Sequence, residues 1–362
     1  MRADPLIADP GLVLLPRSTI VALESAGGIE LEAIARRLGL PSPSARMQPR
    51  ECEELLMTAL SDIGDPAFAL ITGARIRPEL FGVVGLAAMV ARSYGEALRR
   101  VARFSRLSSG AIVQLLPVAG GIALRRHSFR SALSAVERAH VDHELAWMVA
   151  FGRLLTEAPI AARRVALRGP APTYAAAYRD VLGVVPQHDA SHDEIVFDIA
   201  DLERPLVSCS HEHSAYFLER AEQLLNECAA WSPVERVRAT VSRLLEGRAP
   251  SIAQVARALS MSERSLQRQL AAAGTSYRVL LDGVRHTSIC RALAAGETGL
   301  SALAERVGFS GAAALHRAFR RWEGITPRGY LARVHATLGR PDRAREWHPA
   351  AIGVGSRSSI SA

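Results

Sequence analysis

The last third of the chain repeats one short pattern twice: an apolar-periodic helix, a tight turn, and a second helix with Arg or Gln along its outer side. The first copy runs from Ser251 to Leu259, turns at Ser260-Met261 and continues from Ser262 to Leu270. The second runs from Ser301 to Val307, turns at Gly308-Phe309-Ser310 and continues from Ala314 through Trp322. Such a repeat confines this region to an all-helical fold, because the 3.6-residue period leaves no strand-like alternation. Two helix-turn-helix units on one chain can occupy two neighbouring turns of a DNA duplex without a dimer.

In the first copy Ile252, Val255, Ala256 and Leu259 stand at i, i+3, i+4 and i+7 and form one buried stripe. Ser251 is placed as N-cap with Gln254 at the capping-box position. Ser262 can cap the second helix, whose Leu266 and Leu270 point inward. Arg264, Gln267 and Arg268 are then left outside, with Ser265 beside them. This is the end of a recognition helix that meets base edges, where Arg pairs with guanine and Gln with adenine. The bland alternative is a surface helix with solvated arginines; capping, period, turn length and local charge together favour recognition.

In the second copy Leu303, Val307, Phe309, Leu315, Phe319 and Trp322 form the core, leaving His316, Arg317, Arg320 and Arg321 outward. Its opening turn, Gly311 and Ala312 through Ala314, carries no side chain able to bond a base. This helix is expected to hold phosphates through Arg and backbone N–H groups and to read shape more than sequence. Ser262 and Gly311 open equivalent helices, and the segment from about Tyr277 to Ala295 can form one rigid connecting helix. Successive major grooves lie about 34 Å apart, a separation such a helix can set.

Charge agrees with this placement. Of the formal +8, residues 1–233 contribute −3 (24 Arg, 27 acids), residues 234–340 contribute +10 (17 Arg, 7 acids) and the rest +1 (3 Arg, 2 acids). A basic excess coinciding with the repeat is the footprint of a polyanion partner. All 44 basic residues are Arg, which codon bias explains more simply than selection for guanidinium geometry. Cys52, Cys209, Cys228 and Cys290 are scattered, which argues against a disulfide framework or zinc ribbon. Neither a secretory signal nor an apolar run of spanning length is visible, so a cytoplasmic protein without a membrane partner is expected.

Ahead of the repeat the chain reads as helices over 18–107, among them Leu80–Ala91 and Tyr94–Leu107. A strand pair follows (Ala111–Val118 and Ile122–His127) around Ala119-Gly120-Gly121. A long amphipathic helix covers 132–156. Strands at Arg164–Arg168 and Glu194–Asp198 flank a helix near 173–182, and a helix over 214–231 closes the region. The expected fold class is thus an α+β N-terminal domain followed by an all-α C-terminal domain with two helix-turn-helix units joined by a linker helix. The expected boundaries are a flexible N-terminus over 1–16, the α+β domain over 17–232, the helical domain over 233–335 and a disordered tail over 336–362, with Pro233 marking the main break.

The C-terminal residues resemble the AraC/XylS family of bacterial transcription regulators. The resemblance spans about 250–333 and rests on Met261-Ser262, Arg264 to Arg268, Ala304, Val307 to Ser310, Phe319 to Trp322, Gly324, Thr326-Pro327 and Tyr330. It departs at Gly311 to Leu315, where the family usually carries polar residues and an aromatic. The first domain resembles the "arabinose-binding-like" effector domain of the branch that includes ornithine-responsive and mycobacterial virulence regulators. Its carrying residues are Gly39-Leu40, Gly64 to Phe68, Phe81 to Leu86, Tyr94 to Leu98 and Leu202 to Leu206. The resemblance implies a sequence-specific DNA-binding transcriptional regulator whose 17–232 domain binds a small-molecule effector and forms a homodimer, and which engages RNA polymerase if it activates. It implies no enzyme and no cofactor.

Phe81, Leu86, Phe104 and Trp147 are the apolar candidates for an effector pocket, and Gly82 and Gly85 read as close-packing positions rather than a dinucleotide loop. His188, His192, Cys209, His211 and His213 lack zinc-ligand spacing, and His140 and His143, three apart, read as surface or interface residues rather than a zinc-peptidase pair. No metal site is expected. Two alternatives stand beside regulation by an effector: a thiol- or metal-dependent enzyme fused to a DNA-binding unit, which requires clustered cysteines, and a constitutive architectural DNA binder.

Overall fold

The computed structural model describes residues 15–338 except 16, 46, 76, 109–111, 119, 128–133, 232, 274 and 295. The expected loose N-terminus and most of the expected tail lie outside the described residues. Helix α1 (Arg17–Val21) runs into a π-helical turn, Ala22–Ala26, and is followed by α2 (Leu31–Leu38), α3 (Pro49–Ile63) and α4 (Phe68–Gly73). A 3₁₀ turn, Pro78–Phe81, leads into α5 (Gly82–Met89) and α6 (Tyr94–Ser108). Gly85 is needed where that turn doubles back, because a Cβ there would meet the Pro78 carbonyl oxygen at 1.8 Å. The sequence reading merged the turn and α5 into one helix. The left-handed φ of Gly82, +56°, separates them.

The hairpin β1 (Ile112–Val118) and β2 (Gly121–His127) forms where the two apolar runs predict it. Next come α7 (Ala135–Thr156), β3 (Arg164–Ala166), α8 (Ala177–Leu182), β4 (Asp193–Asp198), α9 (Ile199–Leu202) and α10 (His211–Trp231). The four strands make one antiparallel sheet in the order β1-β2-β4-β3. The register aligns Leu115, Leu124, Ile195 and Val165 across one face and Gln114, Arg125, Glu194 and Ala166 across the other. Residues of both faces are buried, so the strands lack the in–out polarity of a half-exposed sheet.

The C-terminal region is helical: α11 (Pro233–Leu244), α12 (Ile252–Ala258), α13 (Glu263–Ala272), α14 (Tyr277–Ala294), α15 (Leu300–Arg306), α16 (Ala312–Glu323) and α17 (Pro327–Leu338). Its two repeated units are packed differently. The first has a cluster of its own, in which Val237 and Val241 of α11 meet Val255, Leu266, Leu270 and Leu280. Leu303, Val307, Leu315, Phe319 and Tyr330 of the second belong instead to the same continuous core as the sheet, α6 and α7. The four-residue loop and tight turns of the repeat do not reveal this asymmetry, because both copies carry equally apolar stripes.

Candidate nucleic-acid interface

The first unit is built as its local sequence dictates. The Ser251 hydroxyl accepts the Gln254 N–H at 3.2 Å while the Gln254 side chain accepts the Ser251 N–H at 2.8 Å, closing the capping box. Between the helices Ser260 takes a left-handed φ of +56° and the Met261 N–H bonds the Ala256 carbonyl at 2.9 Å. The Ser262 hydroxyl then accepts the Ser265 N–H at 3.1 Å and starts α13. Leu266 and Leu270 are buried, whereas Arg264, Gln267 and Arg268 are exposed and Ser265 is partly so. Among the described residues neither Arg264 nor Arg268 has a carboxylate partner. Their guanidinium donors are therefore available to an outside acceptor.

In the second unit Gly311 caps α16 without a side-chain hydrogen bond, and Ala312 follows it, both partly exposed. Arg317 and Arg320 are exposed and His316 is half-buried. Arg321 differs from its expected role as a free phosphate contact: Asp282 of α14 holds its Nη2 at 3.1 Å, and its guanidinium lies 5.9 Å from the Trp322 ring.

The linker helix fixes the two units against each other. Arg285, midway along α14, donates to the carbonyls of Val307 and Gly308 at 3.0 and 2.6 Å and stacks 4.3 Å over Phe309. These bonds satisfy carbonyls that the end of α15 leaves open. Tyr277 at the start of α14 donates to the Pro250 carbonyl ahead of the first unit. Gly308, at φ +69°, lies against the same loop, where a Cβ would meet the Ala249 nitrogen at 2.2 Å.

A charged network ties the second unit to the sheet. Arg125 of β2 bonds Glu194 of β4 at 3.0 Å and Glu323, the last residue of α16, at 2.7 Å. His286 of α14 reaches the other Glu323 oxygen at 2.6 Å. Burial opposes ionisation of Glu323, but His286 and Arg125 outweigh it and draw its pKa down to about 2. Burial likewise opposes charge on His286, while Cys290 and Glu323 lift its pKa to about 10. Glu194, held by His192, Arg125 and Arg164 against the cost of burial, sits well below the ordinary carboxylate range.

The N-terminal region contains two adjoining cavities of about 30 and 40 Å3 that share Thr19, His140 and His143 in their walls. Each has room for a water or two, since one water needs about 10–15 Å3. Phe81 and Trp147, with ring centroids 4.6 Å apart, line the first. Leu86 and Phe104 line neither; Phe104 is fully buried in the main core. His140 and His143, expected at the surface or an interface, line these cavities: desolvation drives both pKa values down to about 4, leaving neutral rings. His143 Nε2 is buried without a hydrogen-bond partner. Thr19 and the two histidines could not be grouped from sequence, because 121 residues separate Thr19 from His140.

Among the described residues, the remaining histidine and cysteine candidates do not converge on a common site. His213 bonds Ser210, His192 bonds Ser191 and Glu194, and His188 lies against Tyr178.

The sequence pattern of the arabinose-binding domain of AraC transcription regulators matches residues 28–206, and that of a helix-turn-helix domain matches 255–333. The chain is 28% identical over 294 residues to the ornithine utilization regulator of Pseudomonas aeruginosa, covering 80% of this chain and 86% of that protein. It is 35% identical over 158 residues to the HTH-type transcriptional regulator VirS of Mycobacterium tuberculosis, covering 43% of this chain and 46% of VirS. The crystal structure of the transcriptional regulator CdpR from Pseudomonas aeruginosa covers 86% of this chain and 98% of its own at 24% identity, with a TM-score of 0.41, a likeness too distant to carry a structural inference.

Proposed function

The chain belongs to the AraC family of transcription regulators, with an N-terminal effector-binding domain and a helix-turn-helix DNA-binding domain, and on that premise we propose how its residues divide the work. The α13 helix reads bases: Arg264, Gln267 and Arg268, with Ser262 and Ser265 at its start, enter a major groove. The α16 helix anchors: Arg317, Arg320, His316 and the backbone N–H groups at Gly311 and Ala312 hold phosphates, and Arg321 supports them from its pair with Asp282. The single observation that carries this division is the lack of any carboxylate partner, among the described residues, for Arg264 and Arg268 on an exposed, capped helix.

The effector enters between α1, α4 and α7, where the two cavities meet at His140 and His143. The orphaned His143 Nε2 accepts from an N–H or O–H of the ligand, and Phe81 and Trp147 cover its apolar part. No arginine lines either cavity among the described residues, so a free amino acid, which the name of the ornithine-responsive relative would suggest, finds no partner for its carboxylate. Effector binding shifts the population of arrangements in which the second unit, held to the sheet by Arg125 and Glu323, allows both α13 and α16 to engage DNA. The protein works in the cytoplasm as a homodimer and contacts RNA polymerase where it activates; none of its helices is long and apolar enough to cross a membrane among the described residues. Among the described cysteines, Cys52 is on α3, Cys209 in the loop ahead of α10 and Cys290 on α14, a scatter that disfavours the fused thiol enzyme.

The test is Arg264→Ala, with sites taken from genome-wide mapping of the bound protein. The variant is expected to lose about 1–3 kcal/mol on its operator and to relax preference at one base position. Equal losses on operator and random DNA would refute base reading by α13 and favour an architectural binder.

A further inference from the structure

Where the linker helix, the second recognition helix and the last helix converge, three side chains with metal-binding atoms meet. His286 and Cys290 are four residues apart on α14 and share one face, and Glu323 ends α16. His286 Nε2 stands 2.6 Å from Glu323 Oε1 and 3.4 Å from Cys290 Sγ, and the three ligand atoms all lie within 4.8 Å of one another. All three residues are buried. Tyr330 of α17 brings a fourth polar atom: its hydroxyl is buried beside the Cys290 sulfur and Glu323 and makes no hydrogen bond of ordinary geometry. A buried polar group left unbonded is uncommon in a native fold and calls for an explanation.

We propose that His286, Cys290 and Glu323 form a binding site for a divalent cation of borderline softness, zinc foremost, with the Tyr330 hydroxyl beside its fourth position. A mixed nitrogen, sulfur and oxygen donor set selects zinc over magnesium or calcium, which take oxygen ligands. A tetrahedral ion with bonds of about 2.0–2.3 Å holds its ligands about 3.3–3.8 Å apart. The His286–Cys290 spacing already fits, and Glu323 Oε1 has to retreat by less than about 1 Å. The hydrogen bond between Nε2 and Oε1 occupies the space in which the ion would sit. Arg125 engages the other Glu323 oxygen at 2.7 Å, so it orients the carboxylate from outside and leaves Oε1 for the ion.

Zinc takes a neutral imidazole and a thiolate as ligands, so its binding releases protons to solvent. Bound metal would staple the linker helix to the end of the second unit at the point where that unit meets the sheet, giving the protein an input separate from the cavity at His140 and His143.

The experiment is a cobalt and zinc titration of the full-length, metal-depleted, reduced protein. One cobalt ion per chain is expected to produce a thiolate-to-metal charge-transfer band and tetrahedral d–d absorption, both abolished by one equivalent of zinc. Titration in two buffers of different ionisation enthalpy is expected to show net proton release on binding. Cys290→Ser is expected to abolish the charge-transfer band while far-UV circular dichroism stays unchanged. Absence of the band in the wild-type protein, or its persistence in Cys290→Ser, would overturn the assignment, the second outcome pointing to another cysteine. Should Cys290→Ser fail to fold, X-ray absorption of the cobalt-bound wild-type protein decides: a metal coordination shell without sulfur refutes ligation by Cys290.

Discussion

The two helix-turn-helix units share a sequence pattern but not a mechanical situation. The first closes its own small cluster around Val255, Leu266 and Leu270 and leaves Arg264 and Arg268 unpaired. The second spends its apolar face, through Leu315 and Phe319, on the core of the effector domain, and Glu323 and Arg321 on ion pairs within the protein. A unit with its own core can keep a fixed reading surface while its surroundings rearrange. A unit whose core is shared must feel whatever the effector domain does. The contrast supports the proposed division, reading in the first copy and coupling in the second, although both carry the same fold.

The largest test of this contrast lies in the cores. Phe319→Ala is expected to cost about 3–5 kcal/mol and Leu266→Ala about 2–5 kcal/mol. Hydrogen exchange is expected to show protection lost in β1, β2 and β4 for Phe319→Ala, and only in α11–α14 for Leu266→Ala. Identical patterns would erase the distinction between the units.

Acid separates the same two regions. His140 and His143 stay neutral in the fold, with pKa values lowered to about 4, so they contribute stability that is present above about pH 6.5 and lost as pH falls toward 4. Each is worth at most about 3 kcal/mol. Asp142, whose pKa burial raises to about 6, acts in the opposite sense: its carboxyl is protonated in the fold before it is in the unfolded chain, which favours the fold as pH falls below 6. Two histidines outweigh one aspartate, so the effector domain is expected to lose stability between pH 6.5 and 4 before the first helix-turn-helix unit does. Thermal unfolding followed across that range checks this, and His143→Gln is expected to flatten the dependence.

The turns offer a finer comparison. Ser260 and Gly308 occupy equivalent left-handed positions, but Ser260 is exposed whereas Gly308 is pressed against backbone at Ala249. Gly308→Ala is expected to cost about 2 kcal/mol, from left-handed strain and the collision together, whereas Ser260→Gly stays within about 1 kcal/mol of the parent. Chemical denaturation of both variants compares them. The smallest effect is expected from Arg320→Ala, which should weaken binding to all DNA sequences alike and reduce the slope of log K against log salt by about 0.9. A loss confined to one base position would show that α16 reads sequence after all.

The helices, their caps, the hairpin and the repeated units were legible because each is set by neighbours within a few residues. Ser251 and Gln254 cap one another across three positions, and β1 and β2 pair across a single turn. Period and turn chemistry are written locally, so a single chain displays them. Resemblance to a family added what the pieces are used for. The cavity escaped that reading: it named Phe81 and Trp147 but also Leu86 and Phe104, and it left His140 and His143 at the surface or an interface. The amphipathic α7 shows which residues are apolar, not which histidine faces a void.

The sequence by itself determined that this chain carries two helix-turn-helix units behind a mixed domain, since local hydrogen bonds and side-chain period suffice to specify them. Only the tertiary structure decided that Arg125 would find Glu323 across 198 residues, that His286, Cys290 and Glu323 would face one another, and that the second unit would share the effector domain's core. Such pairings depend on how finished elements dock. Docking is fixed by the sum of many weak contacts between distant segments, and no short stretch of chain records that sum.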